Sequence, residues 1–487
     1  MAARVFLLCS KNFSRCCFTG HVRQASNFVP KEYKGPSYEK TEQLKADHFP
    51  PAVYNIYKRP LLLHQGHMQW LYDHENKKYL DLFAGIVTVS VGHCHPKVVA
   101  ALQNQINILW HTTNIYKQPK IYEYIEKLVS KFPGDLKVVY LVNSGSEAND
   151  LAILLAKAYT GNNDIISLQS SYHGYSTGLM ALTASQSYRM PMPVPPGFYH
   201  TPLADPFRGY WGGWRDSISQ VPGASCSTTG QDCDSADKYI HQLNEVLETS
   251  IPAGRLAAMF AESIQGVNGT VQFPKGYIRK AQQLVKKYGG LFVSDEVQTG
   301  FGRTGDHFWG FQGHGIMPDI VTMAKGIGNG FPMAAVVTTK EIAAAHAKAA
   351  YFNTFGGNPM ASAVGSAVLD VIEEEQLQNN CKEVGKYFIE QLQQLQKHHP
   401  VIGDVRGKGL MLGIELVVPG TKTALPVTDV SEILEITKDN GVLFGRGGRW
   451  GNVLRIKPPM CINKENVDLA VDVLDKAIKQ HLTAKSK

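Results

Sequence analysis

Residues 292–303 read Phe-Val-Ser-Asp-Glu-Val-Gln-Thr-Gly-Phe-Gly-Arg, so an apolar run changes to polar residues at Asp295. A second short run, residues 319–324, ends at Lys325 and leads into a glycine-rich turn. The pattern predicts two buried strands. Side chains at the ends of two strands of one sheet can face the same crevice, so we expect Asp295 and Lys325 to lie together. The alternative is an Asp that caps a turn and a solvated lysine, which are common roles for these residues.

Strands and helices alternate between residues 137 and 340. Short runs rich in β-branched residues predict strands at 137–142, 164–168, 256–261, 291–295, 319–323 and 334–339. Helical periodicity predicts helices near 147–160, 236–249 and 275–288. This alternation is typical of an α/β domain with a mostly parallel sheet.

The flanking regions have different patterns. Alternating residues over 67–83 predict a β-hairpin, and residues 185–235, rich in Pro, Gly and Ser, predict a long loop over the sheet. A long helix is expected after Pro359, followed by helices mixed with short strands. We therefore divide the chain into a leader (1–35), an N-terminal segment with the hairpin (36–90), a large domain (91–359) and a smaller C-terminal α+β domain (360–487).

Composition excludes several classes of protein. The chain has 487 residues, of which 44% are apolar, and a net charge of +7. Residues 1–30 contain four basic and no acidic residues, so the remainder carries only +3, which disfavours nucleic-acid binding. No apolar run reaches the roughly 18 residues of a membrane span, so no membrane partner is expected.

The N-terminal residues 1–35 are basic, contain serine and lack acids over 1–30, which is typical of a mitochondrial transit peptide and predicts the matrix as location. A disordered cytosolic tail is the alternative. Five of the eight cysteines lie beyond this segment, a number that fits free thiols in a reducing compartment. Cys226 and Cys233 lie in the predicted long loop. They could form a disulfide, bind a metal or remain unpaired thiols.

The predicted strand 137–142 runs into Asn-Ser-Gly-Ser-Glu-Ala-Asn, residues 143–149, and then a helix. Small residues at a helix start expose backbone N–H groups that bind anions such as phosphate. The alternative is a capping box formed by Ser144 and Glu147, and both can hold at once. Tyr172 follows the next strand and can stack on a flat ring, and Thr354 offers a hydroxyl in a glycine-rich turn. An acid, a lysine and a phosphate site together meet the needs of pyridoxal phosphate.

Two other motifs do not meet the requirements of a binding site. His93 and His95 alternate around Cys94, but no second cluster of ligands accompanies them, so we predict a turn and no metal site. The glycines after Lys325 lack the spacing of a dinucleotide-binding fingerprint.

Taken together, the motifs resemble the class-III aminotransferases of pyridoxal-phosphate fold type I, over about residues 45–480. The resemblance rests on residues 144–149, 172–174, 262–266 and 295–305, on Lys325, and on Thr354 with 356–359. It implies a large domain with a mostly parallel seven-stranded sheet, pyridoxal 5′-phosphate as cofactor, and a homodimer or a dimer of dimers.

The resemblance also implies a role for each matching residue. Lys325 is the Schiff-base lysine and proton shuttle, and Asp295 pairs with the pyridinium nitrogen. Arg455 grips the substrate carboxylate, because its planar fork meets a carboxylate with two bonds. Thr354 reaches the phosphate of the other subunit. Gly145 and Ser146 hold the phosphate, Tyr172 stacks on the ring, Gln298 lies near the ring hydroxyl, and Glu262 orients the cofactor-side network. His173 is a further cofactor-binding residue, and Ile86 is a further substrate-binding residue.

Two departures from the family pattern matter. Ser263 replaces the usual proline of the Glu-Pro-Ile-Gln-Gly motif, which we interpret as a minor backbone change. Val267 stands where ornithine- and aminobutyrate-type members have a second glutamate, which argues against those activities.

The details of residues 62–67, 85–96 and 328–335 are most similar to members that use alanine and glyoxylate. The expected reaction is ping-pong transfer of an amino group from alanine, or a related amino acid such as 3-aminoisobutyrate, to glyoxylate or pyruvate. The alternative is a phospho-lyase of the same class, which acts on a phosphorylated amino alcohol. The resemblance implies lysine in place of Arg455 in such enzymes.

Overall fold

The computed structural model describes residues 28–53, 55–212 and 232–485. Within them the strands are, in chain order, β1 (Leu63–His67), β2 (Trp70–Asp73), β3 (Lys78–Asp81), β4 (Val138–Val142), β5 (Asp164–Leu168), β6 (Phe198–Thr201), β7 (Leu256–Glu262), β8 (Leu291–Asp295), β9 (Ile320–Met323), β10 (Ala334–Thr338), β11 (Ile402–Lys408), β12 (Met411–Leu416), β13 (Val442–Leu443), β14 (Gly445–Gly447) and β15 (Val453–Ile456).

The α-helices of the same residues are α1 (Tyr38–His48), α2 (Ala84–Val87), α3 (Pro96–Ile106), α4 (Pro119–Val129), α5 (Gly145–Thr160), α6 (Leu179–Leu182), α7 (Asp234–Thr249), α8 (Tyr277–Lys287), α9 (Lys340–His346), α10 (Pro359–Glu374), α11 (Leu377–His398), α12 (Val427–Asp439) and α13 (Lys464–Lys485). Short 3₁₀ turns cover 186–188, 310–314 and 325–327.

A seven-stranded sheet forms the centre, with the order β4–β10–β9–β8–β7–β5–β6. The strands from β9 to β6 pair in parallel, and β10 is antiparallel to both of its neighbours. Strands β7, β8 and β9 are buried along their whole length, as expected for parallel strands covered on both faces. The predicted α/β class and the mostly parallel seven-stranded sheet are confirmed.

One prediction within this sheet was wrong. Residues 185–235 were expected to be a loop, but Phe198–Thr201 form β6 at the edge of the sheet and pair in parallel with β5. The strand has only four residues and lies between proline- and glycine-rich segments, so its local pattern gives little signal for a strand.

Two four-stranded sheets flank the centre. The predicted hairpin is confirmed as β2 and β3, which pair with β1 and, through Leu80 and Val442, with β13 near the other end of the chain. The second small sheet has the order β11–β12–β15–β14, is antiparallel, and packs against α11. The domain boundaries at residues 90 and 359 stay predictions.

The predicted leader falls mostly on residues 1–27, which lie outside the described residues, as does Cys226 of the suggested cysteine pair. Cys94, Cys381 and Cys461 are free thiols. In the described part of the chain, no helix has both the length and the apolar character needed to cross a membrane.

Candidate active site

A cavity of about 130 Å³ opens where β5, β7 and β8 end and α5 begins. It collects most of the residues that the sequence analysis selected. The lining includes Gly145, Ser146, Tyr172, His173, Glu262, Asp295, Gln298 and Lys325. Gly145 and Lys325, which are 180 positions apart in the sequence, therefore meet at one edge of the sheet, and the structure brings Asp295 and Lys325 to the same cavity.

Asp295 is the last residue of β8 and is 3% exposed. Its Oδ2 accepts hydrogen bonds from Asn149 Nδ2 at 2.9 Å and from His173 Nδ1 at 2.8 Å. A carboxylate can only accept, so we assign the His173 proton to Nδ1. The backbone N–H of Val297 donates to Oδ1 at 3.1 Å. Three donors from separate segments thus hold the carboxylate in one orientation.

Lys325 follows β9 and begins a 3₁₀ turn with a left-handed backbone, at a φ of 53°. Such a conformation is costly for a residue with a side chain and is often found at functional sites. The turn is held by Ser90, whose hydroxyl donates to Gly326 O at 2.7 Å. Burial, and then the neighbouring Arg455, lower the pKa of the Lys325 side chain, while Asp295 and Glu262 act in the opposite direction.

The start of α5 has both a capping interaction and exposed backbone N–H groups, the two alternatives of the sequence analysis. Ser144 is the N-cap, and its Oγ accepts a bond from Glu147 N at 3.2 Å, so the capping interaction is present. Gly145 and Ser146 then form the first turn, whose backbone N–H groups have no hydrogen-bond acceptor within the helix. A Cβ on Gly145 would lie 3.3 Å from Val297, which leaves little room for a side chain beside the cavity.

Tyr172 lies in the loop after β5, partly buried, and its ring meets that of Tyr188 edge-on at 4.8 Å. Its backbone N–H donates to Glu262 Oε1 at 3.4 Å, and Gly266 N donates to Glu262 Oε2 at 2.7 Å. Burial raises the pKa of Glu262, and His173 opposes that rise. Glu262 therefore connects the loop that carries Tyr172 to the loop after β7.

Gln298 is buried and lines the cavity, and its carboxamide lies so close to Gly266 that a Cβ there would overlap it. Its Oε1 accepts hydrogen bonds from Lys457 Nζ at 2.9 Å and from Arg455 Nη2 at 3.2 Å. Only glycine at 266 permits this close approach.

Arg455 lies in the middle of β15 and is 3% exposed. It does not line the cavity itself, but its bond to Gln298 connects it to the lining. Its guanidinium lies over the Phe83 ring at 5.1 Å. A planar cation stacked on a ring in this way presents its edge for bidentate contacts.

Two predicted site residues lie elsewhere in the single chain. Ile86 is 43% exposed, at a φ of 62°, and does not line the cavity. Thr354 is also exposed, in the turn before α10. That turn is tied to the start of α5, because Asn353 Nδ2 donates to Glu147 Oε2 at 3.0 Å.

Sequence reasoning missed two residues of the site. Asn149 bonds both Asp295 and the backbone oxygen of His173, and it lies in the helix start that was already selected. Lys457 comes two positions after Arg455, so the period-two alternation of a strand was a signal for it.

The departure at Ser263 has a specific role. Its hydroxyl donates to Glu296 Oε1 at 2.6 Å, and Glu296 also accepts from Thr299 Oγ1 and from the N–H groups of Gly310 and Phe311. A proline would remove one of these donors. Serine is therefore part of the hydrogen bonding around a fully buried carboxyl, a side-chain role that the sequence analysis did not give it.

His93 and His95 bond to different acids. His93 Nε2 lies 2.8 Å from Asp81 Oδ2, and His95 Nε2 lies 2.9 Å from Glu375 Oε1. Each ring thus has its own carboxylate partner.

The arrangement around the cavity fits pyridoxal phosphate. The start of α5 suits the phosphate, Asp295 offers a firmly held carboxylate for a protonated ring nitrogen, and Lys325 offers an amine whose lowered pKa favours the nucleophilic form. Tyr172 adds an aromatic ring at the same cavity.

Known proteins give an independent comparison. The sequence pattern of the class-III aminotransferases matches residues 54–478. The human protein named alanine–glyoxylate aminotransferase 2, mitochondrial, is 51% identical over 465 residues, which are 95% of this chain and 90% of the human protein.

Solved structures are similar over the same extent. A phospholyase from Arthrobacter, in complex with phosphoethanolamine, matches with a TM-score of 0.81 at 32% identity and covers 90% of this chain and 99% of its own. An amine transaminase from an uncultivated Pseudomonas species, solved in the pyridoxal-phosphate-bound form, matches with a TM-score of 0.80 at 26% identity and covers 93% and 99%. The similarity therefore includes both the central sheet and the C-terminal sheet.

Proposed function

Since the chain belongs to the class-III aminotransferases, we propose that it binds pyridoxal phosphate in the cavity described above and transfers an amino group from alanine to glyoxylate or pyruvate. Related donors such as 3-aminoisobutyrate are included in the proposal. The human relative at 51% identity, whose name specifies alanine and glyoxylate, supports this choice of substrates. Transamination itself is the activity of the family.

One observation carries the proposal. Lys325, Asp295 and the first turn of α5 line one cavity, although they come from three separate segments of the chain. Pyridoxal phosphate, when bound, supplies an aldehyde and an electron-accepting ring. The chain supplies the groups that bind and activate it.

In this proposal, Lys325 Nζ both holds the cofactor and moves the proton from the substrate Cα. The lowered pKa of Lys325 favours the neutral amine that can accept this proton. The bond from Ser90 to Gly326 O holds the turn from which the Lys325 side chain starts. The surrounding structure holds Lys325 in its strained backbone conformation.

Asp295 keeps the ring nitrogen protonated. Asn149 and His173 hold Asp295 Oδ2 in place by two hydrogen bonds. Gly145 and Ser146 bind the phosphate, Tyr172 stacks on the ring, and Gln298 binds the ring hydroxyl. Glu262 joins two of the loops that carry these contacts.

Arg455 binds the carboxylate of the amino acid or oxoacid. Its fork geometry suits a bidentate contact, and Phe83 supports one face of the guanidinium. Ile86 contributes to the substrate side in the same proposal.

A homodimer, alone or as a dimer of dimers, is part of the proposal. Large apolar side chains are unusually exposed around Thr354, among them Ile108 (74%), Trp110 (63%), Ile115 (79%) and Phe355 (60%). The rings of His111 and Phe355 lie 5.5 Å apart, so the two segments adjoin. A second copy on this surface would bury these side chains and bring Thr354 to the partner's phosphate.

We also propose that the protein acts in the mitochondrial matrix. Residues 1–30 are basic and free of acids, and the human relative is named as mitochondrial.

The phospho-lyase alternative has one observation in its favour, the similarity to the Arthrobacter phospholyase at 32% identity. A buried Arg455 argues against it, because a phosphorylated amino alcohol has no carboxylate to bind. Release of phosphate from phosphoethanolamine, compared with release of pyruvate from alanine and glyoxylate, separates the two activities.

The test of the proposal locates the cofactor on the chain. We expect the protein with pyridoxal phosphate to show a visible absorbance band that borohydride abolishes, and peptide mass mapping to place the reduced adduct on Lys325. Lys325→Ala should lose the band and the alanine–glyoxylate activity. An adduct on Lys457, the other buried lysine near the cavity, would contradict the assignment.

A further inference from the structure

Lys457 is a fully buried lysine to which the proposed mechanism gives no role. Its Nζ donates to Gln298 Oε1 at 2.9 Å and to Gly266 O at 3.3 Å. Moving an amine out of water is costly unless the group is well paired, so a lysine at this place requires an explanation. Its acceptors belong to the loop after β7 and the loop after β8.

Gln298 Oε1 accepts from two basic side chains, Lys457 and Arg455. An amide can lie in two orientations that differ by a half turn, and the hydrogen-bond partners decide between them. With both donors at the oxygen, the N–H end of the Gln298 amide must point elsewhere. Gln298 lines the cavity, so this N–H end is the part available to a bound cofactor.

Arg455 alone would hold this orientation poorly during turnover. A carboxylate is a stronger acceptor than an amide oxygen, so a bound substrate competes with Gln298 for the guanidinium. Lys457 has no such competitor, because both of its acceptors, Gly266 O and Gln298 Oε1, belong to the chain.

Resting on the proposed function, we infer that Lys457 is a positioning residue, which holds Gln298 Oε1 so that the amide N–H faces the cofactor while Arg455 binds the substrate carboxylate. Glu262 completes the arrangement from the other side, because it accepts from the N–H of Gly266, the residue whose C=O accepts from Lys457.

The protonation of Lys457 is consistent with this role. Burial, and then Arg455, hold the pKa of Lys457 well below its usual range, whereas Glu262 opposes the change. A neutral amine still donates N–H bonds and does not add a second full charge beside Arg455.

The experiment measures the bound cofactor in the presence of acetate, a carboxylate that has no amino group to transfer and would occupy Arg455. An N–H donor at the ring hydroxyl stabilises its ionised form, so the pH midpoint of the visible absorbance change reports the orientation of Gln298. We expect Lys457→Met to raise this midpoint by about one pH unit, the effect of roughly one hydrogen bond to a charged group. An unchanged midpoint would overturn the inference.

A double-mutant comparison separates orientation from general charge. In a Gln298→Met background, Lys457→Met should leave the midpoint unchanged, because the amide that it orients is absent. An equal shift in both backgrounds would mean that Lys457 acts through its charge alone, and the positioning role would be rejected.

Two further variants complete the test. Lys438 is also a buried lysine, 5% exposed, but it bonds Arg59 O outside the cavity, so Lys438→Met should not move the midpoint. If Lys457→Met does not fold, Lys457→Gln serves instead, because its shorter side chain cannot reach both acceptors and the same upward shift is expected. A wild-type protein without a visible band rejects the proposed function, whereas a band with an unchanged midpoint in the variants rejects only the role of Lys457.

Discussion

At the scale of single residues, the surroundings of Arg455 determine what its side chain can do. The residues paired with it on the neighbouring strands are both glycines, Gly413 and Gly445. The ring of Phe83 occupies the space over Gly445, where a Cβ would overlap it, and this ring supports the guanidinium. The strand therefore holds a flat cation against a flat ring in a buried place.

This geometry gives a prediction for Arg455→Lys. Lysine keeps the charge but loses the planar fork and the stacking, at a cost of roughly 1.5–3 kcal/mol for each charged hydrogen bond lost. We expect kcat/KM for alanine and glyoxylate to fall at least ~10-fold. For a simple amine donor without a carboxylate, kcat/KM should fall far less. If kcat/KM falls equally for both donors, Arg455 shapes the site generally, and the carboxylate must bind another residue.

The sequence was sufficient to find residues whose local pattern is distinctive. Asp295 and Lys325 both follow apolar runs, and the structure places them at one cavity. Asn149 was missed because its partner Asp295 is distant in sequence and nothing in a helix start predicts such a bond. The bond from Ser263 to Glu296 was missed for the same reason. Local patterns predict elements and their ends, whereas such pairs depend on how elements pack.

At the scale of elements, the segment just before α1 belongs to the fold. The ring of Phe28 stacks on that of His67 at 4.4 Å. The side chain of Gln65 makes two hydrogen bonds to the backbone of Lys31. Its Oε1 accepts from Lys31 N–H at 3.0 Å, and its Nε2 donates to Lys31 O at 2.9 Å. The leader was predicted to extend to residue 35; because Phe28 and Lys31 contact β1, we propose that any leader ends before Phe28.

Two truncations test this boundary. Removal of residues 1–27 should leave the stability of the first small sheet unchanged, whereas removal of 1–35 should lower it by about 2 kcal/mol, the sum of one ring stack and two hydrogen bonds. Hydrogen exchange of β1 and β2 measures the difference. Phe28→Ala in the shorter truncation should show part of the loss. Equal exchange in both truncated proteins would mean that residues 28–35 are dispensable.

At the scale of the whole molecule, the position of Thr354 raises the question of which chain it serves. It lies on an exposed apolar surface and does not line the cavity of its own chain. In a symmetric dimer each chain would give its Thr354 to the other.

Mixed dimers answer the question. Lys325→Ala and Thr354→Ala chains, each impaired alone, should complement each other when co-assembled. One of the two sites would then combine an intact Lys325 with an intact Thr354, so a hybrid should have about half the wild-type turnover. If Thr354 serves its own chain, both sites of the hybrid remain defective and no activity returns. A fully active monomer would also contradict the proposal.

The pairing of Leu80 in β3 with Val442 in β13 bears on how the protein is made. The two strands are separated by most of the chain, so the first sheet to leave the ribosome lacks its last strand until nearly all of the protein has been synthesised. Closing so long a loop is slow, because its entropy must be overcome before the contacts form. Until then the β3 edge stays open to pairing with other chains. Assembly of this small sheet is therefore a late folding event.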